Sequence, residues 1–423
     1  VNYKPRVIDA ELHNLLEGLP AIALDGARAV GKTSTAKRLA AATLALDADA
    51  TRLIVSGEPE TILTQPTPLL IDEWQLVPQV WNVVRRAVDD DRSPGRFLLT
   101  GSALPPREAR IHSGAGRIVR LNMRPMTLPE RGVTAPTVSL ADLLTGSRQA
   151  ISGQTEFKVP DYANEVLASG FPGIREYPAR LRPQAIDSYV DEVVERDMPE
   201  LGVNIRRPKA LRAWLTSYAA ATSSTTSYTR ILDAATPGES DKPVRSTADV
   251  YRAVLERVWM LDPLPAWTPV FNPLARLTQS PKHHLVDPAI AASLLGATAD
   301  SLLRADGPHE PGRESTLLGR LFESLVALTA RVFAQPSMAR VSHFRTQRGE
   351  HEIDLIVERS DHKVLAIEVK LAAAIGTSDA KHLSWLEAQI GTELLDKVIV
   401  NTGPFAHRLP DGTAVVPLAL LGP

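Results

Sequence analysis

Through the first 130 residues, short apolar runs alternate with stretches whose apolar residues recur every three or four positions. The runs Ala21–Leu24, Arg52–Val55, Leu69–Ile71, Phe97–Thr100 and Arg117–Leu121 read as strands. A helix is predicted from Ser34 to about Thr43, and strands alternating with helices predict an α/β domain on a parallel sheet. Between Pro125 and Pro160, prolines, glycines and hydroxyl residues leave one short helix, Leu140–Leu144, so residues 131–161 are expected to be a linker. From 162 to 300 the spacing turns helical, at Ala185–Arg196, Lys209–Ala220, Ser227–Ala235 and Thr247–Val258. The proline-punctuated Leu261–Trp267 follows as a small strand or wing, which makes this middle domain winged-helix-like. Residues 314–423 return to α/β. There a helix, Leu317–Phe333, precedes strands Val341–Arg345, Glu352–Glu358 and Val364–Lys370, a helix Ala380–Ile390 and a closing strand Lys397–Asn401.

Composition narrows the chemistry. A chain of 423 residues is too long for one core, and its 44% hydrophobic and 23% charged residues are ordinary for a globular protein. A formal net charge of −2 provides no global basic field, so any contact with DNA must come from local patches. Cysteine is absent, which excludes disulfides, thiolate zinc sites and cysteine catalysis and suits a reducing cytoplasm. No run approaches the roughly 18–20 apolar residues of a membrane span, and the charged opening Val1–Glu17 does not read as a signal peptide.

The first predicted strand runs into Gly26-Ala27-Arg28-Ala29-Val30-Gly31-Lys32-Thr33, a G-x-x-x-x-G-K-[ST] loop followed by Ser34 at a helix start. Gly26 and Gly31 let successive backbone N–H groups face phosphate oxygens, and the helix N-terminus adds partial positive charge. Lys32 is then expected to reach the terminal phosphates of ATP, and Thr33 to ligate Mg²⁺. About forty residues on, the strand Leu69-Leu70-Ile71 ends in Asp72-Glu73. Parallel strands put that end on the loop's edge, so Asp72 is expected to face Mg²⁺ and Glu73 to deprotonate the attacking water. Thr100, ending the strand Phe97–Thr100, is placed between that water and the γ-phosphate. Arg117 is the candidate positive charge supplied to a neighbouring subunit's phosphate, with Arg110 and Arg120 as competitors, so the active ATPase is expected to be a homo-oligomer.

The order of the loop, LLIDE, FLLTGS and GAGR…LNMRPMTLPERG resembles the AAA-type ATPases of bacteria and archaea that carry a DUF4143 C-terminal region. The resemblance continues through Tyr189…Glu195-Arg196-Asp197, Ser280-Pro281-Lys282, Val286-Asp287-Pro288 and Ile367-Glu368-Val369-Lys370. It implies a five-stranded AAA-type sheet, a winged-helix middle and a restriction-endonuclease-like end. The chain departs from the pattern at Thr236–Pro243, a Pro/Gly/charge-rich stretch where a tight turn is expected.

In the C-terminal part Asp354 precedes Glu368 and Lys370 in a D-x13-E-x-K spacing similar to the PD-(D/E)XK nuclease core. Glu368 and Lys370 alternate onto one strand face, and Glu323 on the preceding helix is a third acid within reach. Asp354 and Glu368 are the candidate ligands of a second Mg²⁺, with Lys370 beside a scissile phosphate. Arg340, His343, Arg345 and Arg348, and separately Arg206, Arg207, Lys209 and Arg212, form local basic clusters suited to a nucleic-acid backbone. Three readings stay open: ATP coupled to a DNA-linked nuclease, an ATP-dependent switch that binds DNA or a protein without cutting, or a nuclease in which ATP is only structural. The adjacent His283-His284 point to opposite sides of an extended segment and make a poor chelating pair.

Overall fold

A computed structural model describes residues 3–103, 114–200, 207–235, 245–268, 280–304, 316–346 and 349–423. Arg110, Arg206, Arg348 and the Thr236–Pro243 stretch lie outside the described residues.

Five parallel strands form the N-terminal sheet: β1 (Ala21–Asp25), β2 (Ala42–Ala45), β3 (Leu69–Asp72), β4 (Phe97–Gly101) and β5 (Val119–Asn122). Their order is β2-β3-β4-β1-β5. Side chains alternate between the two faces. Ile22, Leu24, Leu70 and Leu98 pack with Leu12 and Leu16 of the helix Val7–Gly18. Ala21, Ala23, Leu69, Ile71 and Leu99 pack with Trp74, Trp81 and Val84, the last two from the helix Gln79–Asp90. A sheet covered on both faces explains why its central strands lack polar alternation.

Two elements differ from expectation. The loop's helix stops at Lys37, short of the expected end near Thr43, and Ala42–Ala45 pairs in parallel with β3. Arg52–Val55, expected as a strand, lies in the helix Asp49–Gly57, where Val55 is buried while Leu53 and Ile54 are 74% and 63% exposed. An edge strand only half buried carries little apolar signal, and one turn of a helix with a single buried position can mimic a strand.

The segment 131–161 does more than connect. Its strands β6 (Val138–Ser139) and β7 (Gly153–Gln154) join C-terminal partners. Among the described residues the middle part is mostly helical, with Arg182–Glu192 and a π-turn at Val193–Asp197, then Pro208–Ala220, Tyr228–Ala235, Arg245–Arg257 and Pro288–Leu294. The segment expected as a wing is drawn inward. Leu261 and Leu264 bridge Leu285 and Lys282, and Ala266 bridges His343.

The C-terminal strands are β8 (Arg340–Arg345), β9 (Glu352–Glu358), β10 (Val364–Val369), β11 (Leu394–Asn401), β12 (Phe405–Arg408), β13 (Ala414–Pro417) and β14 (Leu421–Gly422). A seven-stranded mixed sheet runs β7-β12-β13-β11-β10-β9-β8, while β14 pairs with β6 alone. The helix Leu317–Ala334 packs against this sheet and joins its core to that of the middle helices, with Phe322 meeting Tyr162 edge-on at 5.2 Å. Burying such an aromatic side chain contributes about 1.5–3 kcal/mol. Among the described residues, no helix is long and apolar enough to cross a membrane.

Candidate functional site: a phosphate loop and a carboxylate cluster

The loop between β1 and the helix Lys32–Lys37 takes its shape from two glycines. Gly31 has φ +112°, and a Cβ on Gly26 would lie 2.3 Å from the Met123 carbonyl oxygen. Any other residue at Gly26 would push the loop off its sheet. Arg6 braces the loop from behind. Its guanidinium donates to the carbonyls of Val30 (3.0 Å) and Arg124 (2.6 Å) and pairs with Glu130 at 3.1 Å. Lys32 is buried, and its ammonium donates to the Gly26 and Ala27 carbonyls at 2.8 Å each. Burial pulls its pKa down to about 8, opposed by the carboxylates of Glu73, Asp25 and Asp72.

At the same edge, neighbouring strands converge on one oxygen. Asp72 and Thr100 are register partners on β3 and β4, and Asp72 Oδ1 accepts from the hydroxyls of both Thr33 (2.8 Å) and Thr100 (2.5 Å). Glu73, just past β3, is left-handed at φ +53°. That conformation costs about 1–2 kcal/mol for a non-glycine residue and turns the chain sharply at the strand end. Its carboxylate accepts from Ser102 Oγ at 2.9 Å and from Gln75 Nε2. Ser102 and Gln75 were not singled out from sequence, although Ser102 stands in the FLLTGS run.

Two further contacts were missed. Asp25, at the end of β1, is buried and pairs with Arg120 at 3.0 Å, which ties that competing arginine to its own loop. Arg28, third in the loop, reaches out to Asp197 at 2.6 Å, so the π-turn of the middle part touches the loop directly. Arg117 stands elsewhere. Asn122 is level with Asp25 and Val119 with Ile22, and Arg117 stands in the turn before Val119, at the opposite end of the strand from the loop. It therefore sits at the far edge of the sheet, paired with Asp89 at 2.7 Å, and does not reach its own loop.

Several resembling motifs prove to be struts. Thr127 and Glu130 cap the turn Leu128–Arg131, with the Glu130 carboxylate accepting from Thr127 N at 2.7 Å and from Val7 N at 2.8 Å. Arg131 is buried against Glu165 at 3.0 Å. Asp287 caps the helix Pro288–Leu294 and accepts from Ser169 Oγ (2.8 Å) and Gly170 N (2.6 Å). Arg124 joins Asp262 at 2.8 Å, and Arg331 meets the same carboxylate at 2.7 Å.

In the C-terminal sheet the β9–β10 ladder ends at Leu355↔Ile367, so Asp354 and Glu368 come next to one another along it. Asp354 Oδ2 accepts from Val369 N at 2.9 Å. Lys370, one residue past β10, is close enough for its charge to act on Glu368. The centre of the cluster is a residue the spacing did not single out as chemical. Lys282 Nζ lies 2.8 Å from Asp354, 2.9 Å from Glu323 and 3.0 Å from Glu352. Burial pushes Glu323 up to about 8 and raises Glu368 well above the carboxylate range. Among the described residues, no three His, Asp or Glu side chains are grouped to hold a metal ion. The Lys282 ammonium stands against Asp354, one of the two acids expected as metal ligands.

The basic clusters are largely engaged. Arg212 pairs with Asp187 at 3.1 Å and with Asp191, and Arg345 donates to Thr225 Oγ1 at 2.9 Å. His343 is buried and pushed down to about 4 by that burial, so it stays neutral. His283 and His284 turn to different partners, the Thr226 carbonyl (2.6 Å) and Ser324 Oγ (3.2 Å).

The loop chemistry makes a measurable expectation. Phosphate favours the charged form of Lys32, so above pH 8, where the free loop has begun to lose that proton, ATP binding should take one up. Affinity should fall by up to about tenfold per pH unit there. Calorimetric enthalpies that depend on buffer ionisation above pH 8 would show the uptake; buffer-independent enthalpies and a flat affinity would contradict it.

Comparison with known proteins follows this division. Residues 19–131 match the model of an AAA domain, 159–301 a domain of unknown function called DUF8612, and 318–421 another called DUF4143. Uncharacterized proteins of Mycobacterium tuberculosis and Mycobacterium bovis are each 28% identical over 421 residues, which cover 96% of this chain and 82% of theirs. The solved structure of a Walker-type ATPase of Pyrococcus abyssi aligns at 17% identity and a TM-score of 0.37, covering 68% of this chain and 94% of that one. That likeness is too loose to place any residue. The chain thus carries, in order, a stretch that matches an AAA domain, one that matches DUF8612 and one that matches DUF4143.

Proposed function

We propose that the protein hydrolyses Mg·ATP at the loop and uses the nucleotide state to control a C-terminal domain that binds a macromolecular partner. The observation carrying this is the meeting of Thr33, Thr100 and Asp72 on one carboxylate oxygen, with Glu73 next in the chain. The donor set fits magnesium: Thr33 and Asp72 are hard oxygen ligands at the end of a loop of inward N–H groups. When bound, the ion would neutralise charge on the triphosphate. Lys32 and the loop amides hold the phosphates, and Thr100 orients the attacking water. Glu73 takes the water's proton, with Ser102 and Gln75 fixing its carboxylate. A cavity of about 360 Å³ beside Gly31 and Ser34, lined by Tyr3, Arg6, Arg38, Met126 and Pro172, has room for the base and ribose. Arg28 and Asp197 carry the state of the loop to the middle helices.

Arg117, at the far edge of its own sheet, acts on a neighbouring copy. Purified protein should release phosphate from ATP only with Mg²⁺, with specific activity rising with protein concentration. Arg117→Ala should lose turnover while retaining ATP binding. Absence of Mg²⁺-dependent release at every concentration would refute hydrolysis, and concentration-independent activity would refute the arrangement in trans. The second reading, a DNA nuclease, is disfavoured by the position of Lys282.

A further inference from the structure

We propose that Lys282 is a built-in cation that occupies the C-terminal carboxylate cluster in place of a divalent metal, so that this nuclease-like site is inert until the ammonium is removed. The first support is occupancy. Lys282 Nζ donates to Asp354 at 2.8 Å and to Glu323 at 2.9 Å, and Glu352 lies 3.0 Å away, so the ammonium sits at the centre of three acids. Its side chain is 1% exposed, and a charge so buried persists only when paired. The second support is how the lysine is delivered. Lys282 exchanges backbone hydrogen bonds with Leu264 in both directions, at 2.9 and 2.8 Å, and His343, on β8, donates from Nε2 to the Ser280 carbonyl at 3.1 Å. The first tie holds Lys282 itself, and the second holds the segment two residues before it against β8.

The third support is an acid the lysine does not reach. Glu368 is buried beside Asp354 at the ladder end, and burial together with the Asp354 charge holds it well above the carboxylate range. It therefore keeps its proton and hydrogen-bonds to Asp354, which stays charged against the lysine. That is what remains when a set of acids is filled by a cation that reaches only some of them. A divalent ion entering beside Asp354 would meet the ammonium at close range, and like charges in a partly desolvated site repel strongly. The cluster still opens to solvent on one side, through Glu352, whose side chain is 37% exposed, so an ion has a way in once the lysine is gone.

The test uses the full chain without nucleotide and Mn²⁺ as the probe, read by electron paramagnetic resonance. Lys282→Gln should gain one Mn²⁺ site that wild type lacks, and Mn²⁺ should raise its unfolding temperature by several degrees. Lys282→Gln/Asp354→Asn should return to the wild-type count. Wild type and Glu368→Gln should bind Mn²⁺ equally, a comparison that needs no change at Lys282. Wild type supplied with Mg²⁺ or Mn²⁺ should leave duplex and single-stranded DNA intact. The proposal fails if Glu368→Gln removes a Mn²⁺ site present in wild type, if a folded Lys282→Gln gains none, or if wild type cleaves DNA in an Asp354-dependent way. Phosphate release from ATP is read separately and is untouched by any of these outcomes.

Discussion

Glu73→Gln should stop ATP turnover while leaving ATP bound, whereas Lys32→Ala should abolish binding itself. The two residues stand on opposite sides of the reaction. Lys32 is the buried cation of the phosphate cradle, and its ammonium is held at the mouth of the loop by the Gly26 and Ala27 carbonyls. Glu73 sits beyond β3 with its carboxylate held by Ser102 and Gln75, beside the Asp72 oxygen that collects Thr33 and Thr100. A glutamine there keeps the hydrogen-bonding outline but cannot accept the proton of water, and loss of a general base costs about 10²- to 10⁴-fold in rate. Single-turnover phosphate release and calorimetric ATP titration on the same preparations separate the effects. Turnover in Glu73→Gln within a few-fold of wild type would remove Glu73 from the mechanism, and unchanged affinity in Lys32→Ala would remove the loop.

Asp262→Ala should destabilise the protein by up to about 3 kcal/mol, because it strands two arginines that share one half-buried carboxylate. Arg124 comes from the end of the N-terminal sheet at 2.8 Å and Arg331 from the long C-terminal helix at 2.7 Å, so the triad pins three parts of the chain together. Both guanidiniums hold the Asp262 carboxyl well below the usual carboxylate range, overcoming the opposing effect of its burial. A group with a depressed folded pKa contributes stability in full above its unfolded value, near 4, and loses it as pH falls toward the folded value. Chemical denaturation at neutral pH should reveal the loss, and the variant should show a shallower decline in stability below pH 4. Equal midpoints for variant and wild type would mean that the triad is not under load.

The parts of the site that sequence made legible are those carried by short segments whose neighbours are dictated by topology. The phosphate loop needs only β1 before it and a helix after it, and Asp72 and Thr100 meet because parallel strands end on one edge. Asp354 and Glu368 could be paired because a hairpin fixes which residues lie opposite. Long-range placement was not legible. Lys282 reaches Asp354 across 72 positions of chain through a bridge at Leu264 that no local pattern announces. The edge strand β2 and the helix Asp49–Gly57 were misread because exposure follows from what packs alongside, and Leu53 and Ile54 have little. Arg117 lies where the sequence put it in the chain, but only the strand register shows that it belongs to the far edge.

The threading of residues 138–154 has an architectural consequence. β7 closes one edge of the seven-stranded sheet, and β6 holds the last strand, so the C-terminal fold is completed by chain that precedes the whole middle part. Arg148 adds to this by donating to the Leu394 and Leu395 carbonyls and pairing with Glu387 at 2.8 Å. The molecule is therefore a closed loop rather than beads on a string. Any displacement of the nucleotide-binding end pulls on the far sheet from two directions, along the strap that leaves Arg131 and through the middle helices. Strain arriving by two routes would open or tighten that sheet's β12 border, rather than swing the domain freely on a tether.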